Sequence, residues 1–212
     1  MVGPMTTPAL QASLFGESGP VTLNALAPRR TELGSGAWID VQPGWLDGAD
    51  EVFTDLVTGV PWQAERRRMY DRLVDVPRLL CFYREAAPLP HPVLAEARDA
   101  LSAHYAGELG EPFRTAGLCY YRDGRDSVAW HGDTIGRGSS EDTMVAILSV
   151  GAARQLALRP RGGGESHRYA LGHGDLIVMG GSCQRTWEHA IPKTNRAAGP
   201  RISIQFRPRG VR

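Results

Sequence analysis

The sequence predicts a mainly β protein of the α+β class, with helices in its first half and a sandwich or jelly roll in its second half. The 212 residues are 42% hydrophobic and 22% charged, which is the composition of one globular domain with a buried core. The 25 glycines and 15 prolines favour a turn-rich β architecture over a helical bundle. After residue 117, roughly eight short apolar segments alternate with Gly/Pro turns.

The first half of the chain is predicted to hold an arm followed by an extension. Residues 1–30 lack periodicity, so we expect a loosely ordered N-terminal arm. Residues 31–117 form the extension. It should contain a short strand at 37–41, a helix at 45–57 with its acids near the start, and a helix at 92–109 opened by a proline.

The second half, residues 118–212, is predicted to be the β core. We expect strands at 118–122, 127–131, 143–150, 155–159, 167–171, 175–179, 186–191 and 201–207. The dipeptide Asp123-Gly124 predicts a hairpin between the first two of these strands.

Composition also bears on where the protein works. No apolar run reaches the roughly 18 residues of a membrane helix, and the first residues do not form a signal segment. Three scattered cysteines are too few for a disulfide framework or a zinc cluster. We therefore expect a monomer in a reducing bacterial cytoplasm, with access to the nucleoid and without a membrane partner.

Three side chains in the β half predict a metal site. His131 and Asp133 are two residues apart, so on a strand they point to the same face. His189 follows after enough chain for several strands and can return to that pair. Two imidazoles and one carboxylate on one face leave three coordination positions open, as in non-haem Fe(II) oxygenases.

A second H-x-D copy, His173-Gly174-Asp175, precedes an apolar run. We interpret it as a turn into a buried strand, because too few strands separate it from His189.

The last predicted strand suggests the second ligand. In 201–207, polar residues alternate with Ile202, Ile204 and Phe206. Arg201 and Arg207 therefore share one face and suit a ligand with two carboxylates, each bound by a charge-assisted fork. A dicarboxylate beside an open iron is what 2-oxoglutarate-dependent chemistry requires.

With these residues in place, the chain resembles the AlkB family of 2-oxoglutarate- and Fe(II)-dependent dioxygenases. The family pattern of H-x-D, a distant H and R-x5-R is filled by His131, Asp133, His189, Arg201 and Arg207. Segments 121–126, 171–179 and 187–192 are also similar to the family.

The resemblance implies a double-stranded β-helix with N-terminal helices and a nucleotide-recognition lid. It implies that the triad binds Fe(II) and that Arg201 and Arg207 bind 2-oxoglutarate, assisted by Ser203 and Tyr121. It further implies O2-dependent demethylation of N-alkylated bases in DNA or RNA, with release of formaldehyde, succinate and carbon dioxide.

Two positions depart from the family pattern. Cys119 stands where the family usually has an asparagine that bonds 2-oxoglutarate, and a thiol is only a weak donor. Thr134 and Ile135 follow the H-x-D motif where many repair enzymes have acids that touch the base. The second departure bears on which base is accepted.

The segment 62–84 is the candidate substrate lid, because it is basic and interleaved with aromatic residues. Within it, Arg78 best matches the family lid and Tyr83 could stack on a flipped base. The alternative is an amphipathic helix with a solvated basic face. Trp187 either walls the pocket or belongs to the core, and Arg161 either follows phosphates or is ordinary surface.

Two other functions stay open from the sequence alone. One is an oxygenase of the same chemistry that acts on a protein, a lipid or a small molecule. The other is a non-enzymatic jelly-roll binding module with structural histidines. A near-neutral isoelectric point of 7.8 argues against tight nonspecific binding to nucleic acid, although a local basic groove would suffice.

Overall fold

The computed structural model describes residues 19–69 and 72–211, which form fourteen strands and four α-helices. The strands are β1 (Thr22–Leu23), β2 (Arg29–Gly34), β3 (Ala37–Gln42), β4 (Leu46–Asp47), β5 (Gln63–Met69), β6 (Arg72–Tyr83), β7 (Thr115–Tyr121), β8 (Val128–His131), β9 (Val145–Gly151), β10 (Arg154–Pro160), β11 (His167–Leu171), β12 (Asp175–Gly181), β13 (Trp187–Ile191) and β14 (Arg201–Arg207). The helices are α1 (Ala49–Gly59), α2 (Pro92–His104), α3 (Ala106–Leu109) and α4 (Cys183–Thr186), with a 3-10 turn at Arg137–Ser139.

Two antiparallel sheets make the jelly roll that the sequence predicts. The large sheet has the order β2-β3-β12-β9-β14-β7-β6-β5, and the small one has the order β11-β10-β13-β8. β1 pairs with β4 apart from both sheets. Strands from the predicted extension and from the predicted core therefore lie side by side in the large sheet. Of the predicted arm, residues 1–18 lie outside the described residues.

Alternation along the strands produces two apolar layers, one on each face of the large sheet. The outer layer packs that sheet against α1 and α2, and it includes Ile202, Ile204 and Phe206 of β14. The inner layer fills the space between the two sheets, with residues such as Ile147 from the large sheet and Leu158 from the small one. Side chains at the odd positions of β14 thus face the interior of the jelly roll.

The predicted helices form with shifted boundaries. The first begins at Ala49 rather than at residue 45, because Leu46–Asp47 pairs with β1 and Gly48 turns the chain with a φ of 67°. The second is divided into α2 and α3 at Tyr105, and the His91 side chain accepts a 3.2 Å hydrogen bond at its start. None of the described helices is long and apolar enough to cross a membrane.

The predicted hairpin at Asp123-Gly124 is wrong. β7 pairs with β6 and β14 in the large sheet, whereas β8 pairs with β13 in the small one. The connection crosses from one sheet to the other, and the Asp126 carboxylate folds it by accepting hydrogen bonds from the backbone and side chain of Arg122. The chain does turn at Asp123-Gly124, but which strands pair with each other depends on residues far away in the sequence.

The candidate lid is a β-hairpin. β5 and β6 pair with each other, and β6 continues the large sheet beside β7. The alternative of an amphipathic helix is therefore wrong for the described part of this segment. Tyr70 and Asp71, at the hairpin tip, lie outside the described residues.

Candidate active site

The structure brings His131, Asp133 and His189 together at one end of the space between the sheets. His131 and His189 are register partners on β8 and β13, and their ring centroids are 4.3 Å apart. One ligand atom from each of the three residues lies within 4.8 Å of the others. The strand register therefore brings the two histidines together, and Asp133 joins them from the loop just beyond β8, not from the strand on which the sequence predicts it.

The imidazole of His131 is oriented by the backbone. Its Nδ1 lies 2.8 Å from the carbonyl oxygen of Ala129. Since a carbonyl only accepts, Nδ1 is the donor in this contact, and Nε2 is the ring nitrogen left to bind a metal. Nε2 also faces Oδ1 of Asp133 at 3.9 Å, so the free nitrogen points toward the carboxylate. This is the arrangement that a metal-binding histidine needs.

The electrostatics keep the other two groups in their metal-binding protonation states. Burial alone would raise the pKa of Asp133, but the charge and hydrogen bond of Arg207, together with the two histidines, outweigh burial and lower the pKa to about 2. Burial, with a smaller contribution from His131, lowers the pKa of His189 to about 3. Neutral imidazoles and an ionised carboxylate fit Fe(II), which takes this donor set in facial triads.

The second H-x-D copy serves a turn, as the sequence predicts. His173 Nδ1 accepts a 2.7 Å hydrogen bond from the backbone of Gly151. Asp175 accepts from the backbones of Gly44 and Gly172 at 2.9 and 2.7 Å. Both side chains thus fix the entry into β12.

Arg201 is the most deeply buried cation near the site. It is 1% exposed, and its Nε donates a 2.8 Å hydrogen bond to Ser149 Oγ. Its Nη1 has no hydrogen-bond partner among the described residues, and its guanidinium lies 5.5 Å from the centroid of the Tyr121 ring. Burial lowers the pKa of Arg201. A buried unpaired donor with positive charge fits a carboxylate of 2-oxoglutarate.

The sequence predicts that the Arg207 guanidinium forms a fork with a carboxylate of 2-oxoglutarate, but in the structure it is bonded to two side chains of the protein. Its Nε donates to Asp133 Oδ2 at 2.6 Å, and its Nη2 donates to Gln205 Oε1 at 2.6 Å. Gln205 Nε2 in turn reaches Ser203 Oγ at 3.3 Å and Cys119 Sγ at 3.5 Å. The interior-facing side chains of β14 are called the inner row of β14, and they are Arg201, Ser203, Gln205 and Arg207. Through Arg207 and Gln205, this row links the metal end of the pocket to Ser203 and Cys119.

Side chains of the candidate lid alternate between the two faces of β6. Leu80 packs against the layer between the sheets, whereas Tyr83 packs against the layer covered by α1 and α2. Burial raises the pKa of Tyr83 to about 12, with a contribution from Cys81. Phe82 shares the face of Leu80, and it is 43% exposed. On the face of β6 that is directed toward the site, the aromatic side chain is thus Phe82, whereas Tyr83 lies on the opposite face.

The other three candidate substrate residues have protein partners. Arg78 Nη1 donates to the carbonyl oxygen of Ser127 at 3.0 Å, and Arg161 Nε donates to that of Arg185 at 2.9 Å. Trp187 is 7% exposed within the layer between the sheets. Its centroid is 5.4 Å from the ring of His167.

Sequence reasoning missed Ser149 and Gln184 as parts of the site. Alternation does place Gln205 on the polar face predicted for 201–207, and Phe82 lies in the candidate lid, but the sequence alone gives neither residue a role of its own. Ser149 and Gln184 have no such signal, because their contacts depend on how distant segments are paired.

Comparison with known proteins agrees with this geometry. The sequence profile of the 2OG-Fe(II) oxygenase superfamily matches residues 61–207. The chain is 32% identical over 199 residues to alpha-ketoglutarate-dependent dioxygenase alkB homolog 3 of Bos taurus, covering 80% of this chain and 67% of the bovine protein. It is 28% identical over 219 residues to the DNA oxidative demethylase ALKBH2 of Homo sapiens, covering 85% of this chain and 82% of the human protein.

Solved structures show the same fold at low sequence identity. OsALKBH1 matches with a TM-score of 0.59 and 13% identity, over 84% of this chain and all of that one. A prolyl hydroxylase from Trichoplax adhaerens matches with a TM-score of 0.58 and 10% identity, over 80% of this chain and 82% of that one.

Proposed function

We propose that this chain, which belongs to the AlkB family within the 2OG-Fe(II) oxygenase superfamily, oxidatively demethylates N-alkylated bases in nucleic acid. The observation that carries the proposal is the grouping of His131, Asp133 and His189 within 4.8 Å, together with the buried Arg201, whose Nη1 has no hydrogen-bond partner among the described residues. An oxygenase of this family is an enzyme, so the alternative of a non-enzymatic binding module is set aside.

The chemistry requires a metal and two cosubstrates. When bound, Fe(II) together with 2-oxoglutarate and O2 supplies the oxidation of the N-methyl group. The hydroxymethyl product breaks its C–N bond to release formaldehyde and the free base, and 2-oxoglutarate leaves as succinate and carbon dioxide. His131, Asp133 and His189 would hold the metal, since their ligand atoms are grouped and the lowered pKa values of Asp133 and His189 suit metal binding.

The polar inner row would hold 2-oxoglutarate. Arg201 offers a buried Nη1 to one carboxylate, and Ser149 fixes the guanidinium through Nε. Tyr121 lies in register with Arg201 and is 1% exposed, so it walls the same end of the pocket. Burial of these groups excludes water, which strengthens the charge-assisted bonds to the carboxylate.

The hairpin of β5 and β6 would face the nucleic acid. A base in a duplex must leave the stack to reach a buried site, and flat side chains then hold it. Phe82 provides such a surface, because it is half-exposed on the face of β6 that is directed toward the site. Relatives named as DNA oxidative demethylases support a nucleic-acid substrate.

A cytoplasmic location and a monomeric state are further proposals. All three cysteines are free thiols, and Cys119 and Cys183 are buried, which suits a reducing compartment.

The test is demethylation of methylated single- and double-stranded oligonucleotides, read as loss of a methyl mass and release of formaldehyde. We expect turnover that requires Fe(II) and 2-oxoglutarate. His131→Ala should abolish it, and His173→Ala, the matching change in the second H-x-D copy, should not. Metal-dependent consumption of 2-oxoglutarate without any oligonucleotide product would move the substrate to a protein, a lipid or a small molecule.

A further inference from the structure

The short helix α4 lies directly against the metal-binding strand end. It precedes β13, so one continuous segment leads from Cys183 to His189. Gln184 in this helix is 1% exposed, and its Oε1 accepts a 2.9 Å hydrogen bond from the backbone N–H of Asp133. A single stretch of chain therefore carries one triad residue and contacts the backbone of another.

The hydrogen bond also fixes the orientation of the Gln184 amide. A backbone N–H can only donate, so the atom that faces Asp133 must be the amide oxygen. The Nε2 atom on the other side is buried and has no partner among the described residues. The side chain is thus held by one hydrogen bond, and that bond points at Asp133.

Two more contacts clamp α4 onto the same peptide. A Cβ at Gly132 would lie 2.5 Å from the carbonyl oxygen of Gln184, so the helix backbone touches the chain directly after β8. From outside, Arg161 donates to the carbonyl oxygens of Arg185 at 2.9 Å and Gln184 at 3.4 Å. These are the last carbonyls of α4, which a helix end otherwise leaves unsatisfied.

We infer that Gln184 is a positioning residue that acts through Asp133, with Arg161 as an outer latch that holds α4 in place. The inference rests on the proposed ligand set, His131, Asp133 and His189, and is independent of which substrate the enzyme oxidises. It gives Arg161 a structural task in place of phosphate contact. Its consequence is that metal affinity depends on a side chain that never touches the metal.

The experiment measures Co(II) binding to metal-free protein by quenching of tryptophan fluorescence, since Trp130 and Trp187 lie within two residues of a ligand in sequence. Gln184→Met keeps the length of the side chain but loses the acceptor. We expect it to weaken Co(II) binding by about 10–100-fold, the usual loss for a hydrogen-bond partner of a metal ligand. Gln184→Glu keeps an oxygen facing Asp133 and should bind Co(II) nearly as tightly as the unchanged protein.

Ser182→Ala is the matched control. It removes the hydrogen bonds of Ser182 Oγ with the carbonyl oxygen of Ser35 and with Thr186 Oγ1, and so loosens α4 without touching Asp133. Its Co(II) affinity should stay unchanged. Equal weakening in Ser182→Ala and Gln184→Met would overturn the inference, because general loosening would then explain both. Unchanged affinity in Gln184→Met would overturn it too.

Asp133→Ala separates this inference from the ligand assignment. If Asp133→Ala retains full Co(II) affinity, the ligand set itself is wrong. Loss of affinity in Asp133→Ala and Gln184→Met, together with rescue in Gln184→Glu, supports the inference even if no oligonucleotide is demethylated.

Discussion

Arg207 Nε donates a 2.6 Å hydrogen bond to Oδ2 of Asp133, while Oδ1 of the same carboxylate faces Nε2 of His131 at 3.9 Å. The guanidinium therefore holds one oxygen and leaves the other directed at the histidine. Both side chains of the ion pair are nearly buried, at 11% and 5% exposure. Arg207 thus belongs to the metal end of the pocket as well as to the inner row of β14.

Arg207→Ala is expected to weaken Co(II) binding by about 10–100-fold, because it frees the carboxylate of Asp133 to rotate. The Michaelis constant for 2-oxoglutarate should rise in the same variant. Lysine should restore only part of either property, since it cannot bond Asp133 and Gln205 with one planar group. Unchanged metal affinity in Arg207→Ala, measured by fluorescence quenching, would contradict this positioning role.

Arg201→Met should separate cosubstrate binding from stability. Loss of the guanidinium removes a charge-assisted bond in a closed pocket, which costs about 2–5 kcal/mol and raises the Michaelis constant for 2-oxoglutarate by two orders or so. The unfolding temperature of the metal-free protein should change little, because loss of the Nε bond to Ser149 is offset by removal of a buried charge whose Nη1 has no partner among the described residues. Co(II) affinity should also be retained. A large loss of thermal stability would show that Arg201 is mainly structural.

Gly132→Ala should damage the site although glycine has no side chain to lose. A methyl group there would lie 2.5 Å from the carbonyl oxygen of Gln184 and 3.2 Å from that of Trp187. Main-chain oxygens cannot rotate away, so His131 and Asp133 must move apart or aside. We expect metal affinity to fall by about 10–100-fold, as for other changes that misorient a ligand. Gly107→Ala in α3 has open space around its Cβ and should leave Co(II) binding intact.

The polar face of β14 could be predicted from sequence because residues two apart on a strand share a face whatever the strand pairs with, so Arg201 and Arg207 followed directly. The nearness of His131 and Asp133 follows from their two-residue spacing, although Asp133 lies just beyond the end of β8 and not on the strand. The return of His189 to this pair depends on the long-range register of β13 on β8. The crossing at Asp123-Gly124 could not be predicted, because the same turn chemistry suits a hairpin and a connection between sheets. Likewise α4 is only four residues long and carries no periodicity.

The sequence predicts Tyr83 as the stacking residue, whereas the structure has Phe82 on the site face of β6, and this difference has another origin. Alternation shows which residues of β6 share a face, but it does not show which face is directed toward the site. A shift of one residue inverts the whole assignment. The register of β6 on β7 decides it, since Phe82 is opposite Gly117 and Tyr83 is opposite Ala116, a member of the outer layer.

A hydrogen-bond network around the buried carboxylate of Asp40 supports a prediction about stability. Tyr105 donates a 2.9 Å hydrogen bond to Asp40 Oδ2, and Arg30 donates to both oxygens of the same carboxylate at 2.8 Å. Tyr105→Phe removes one donor from a carboxylate that is 2% exposed. We expect a loss of about 1–3 kcal/mol in the free energy of unfolding, measured in urea, with 2-oxoglutarate turnover unchanged. An equal loss of turnover would mean that this region is coupled to the site.

Phe82 and Tyr83 provide a matched pair of substitutions for the substrate side. Phe82→Leu and Tyr83→Leu both replace an aromatic ring by an aliphatic group at neighbouring positions of β6, on opposite faces. Phe82→Leu should raise the Michaelis constant for a methylated oligonucleotide, because base stacking contributes about 1–3 kcal/mol per base. The increase should hardly vary with salt, since stacking releases no counterions. Tyr83→Leu should lower the unfolding temperature and leave that constant unchanged, because the ring packs against the layer under α1 and α2. The opposite pattern, with the Michaelis constant responding to Tyr83 alone, would mean that the base binds on the helix-covered face and that the hairpin is not the lid.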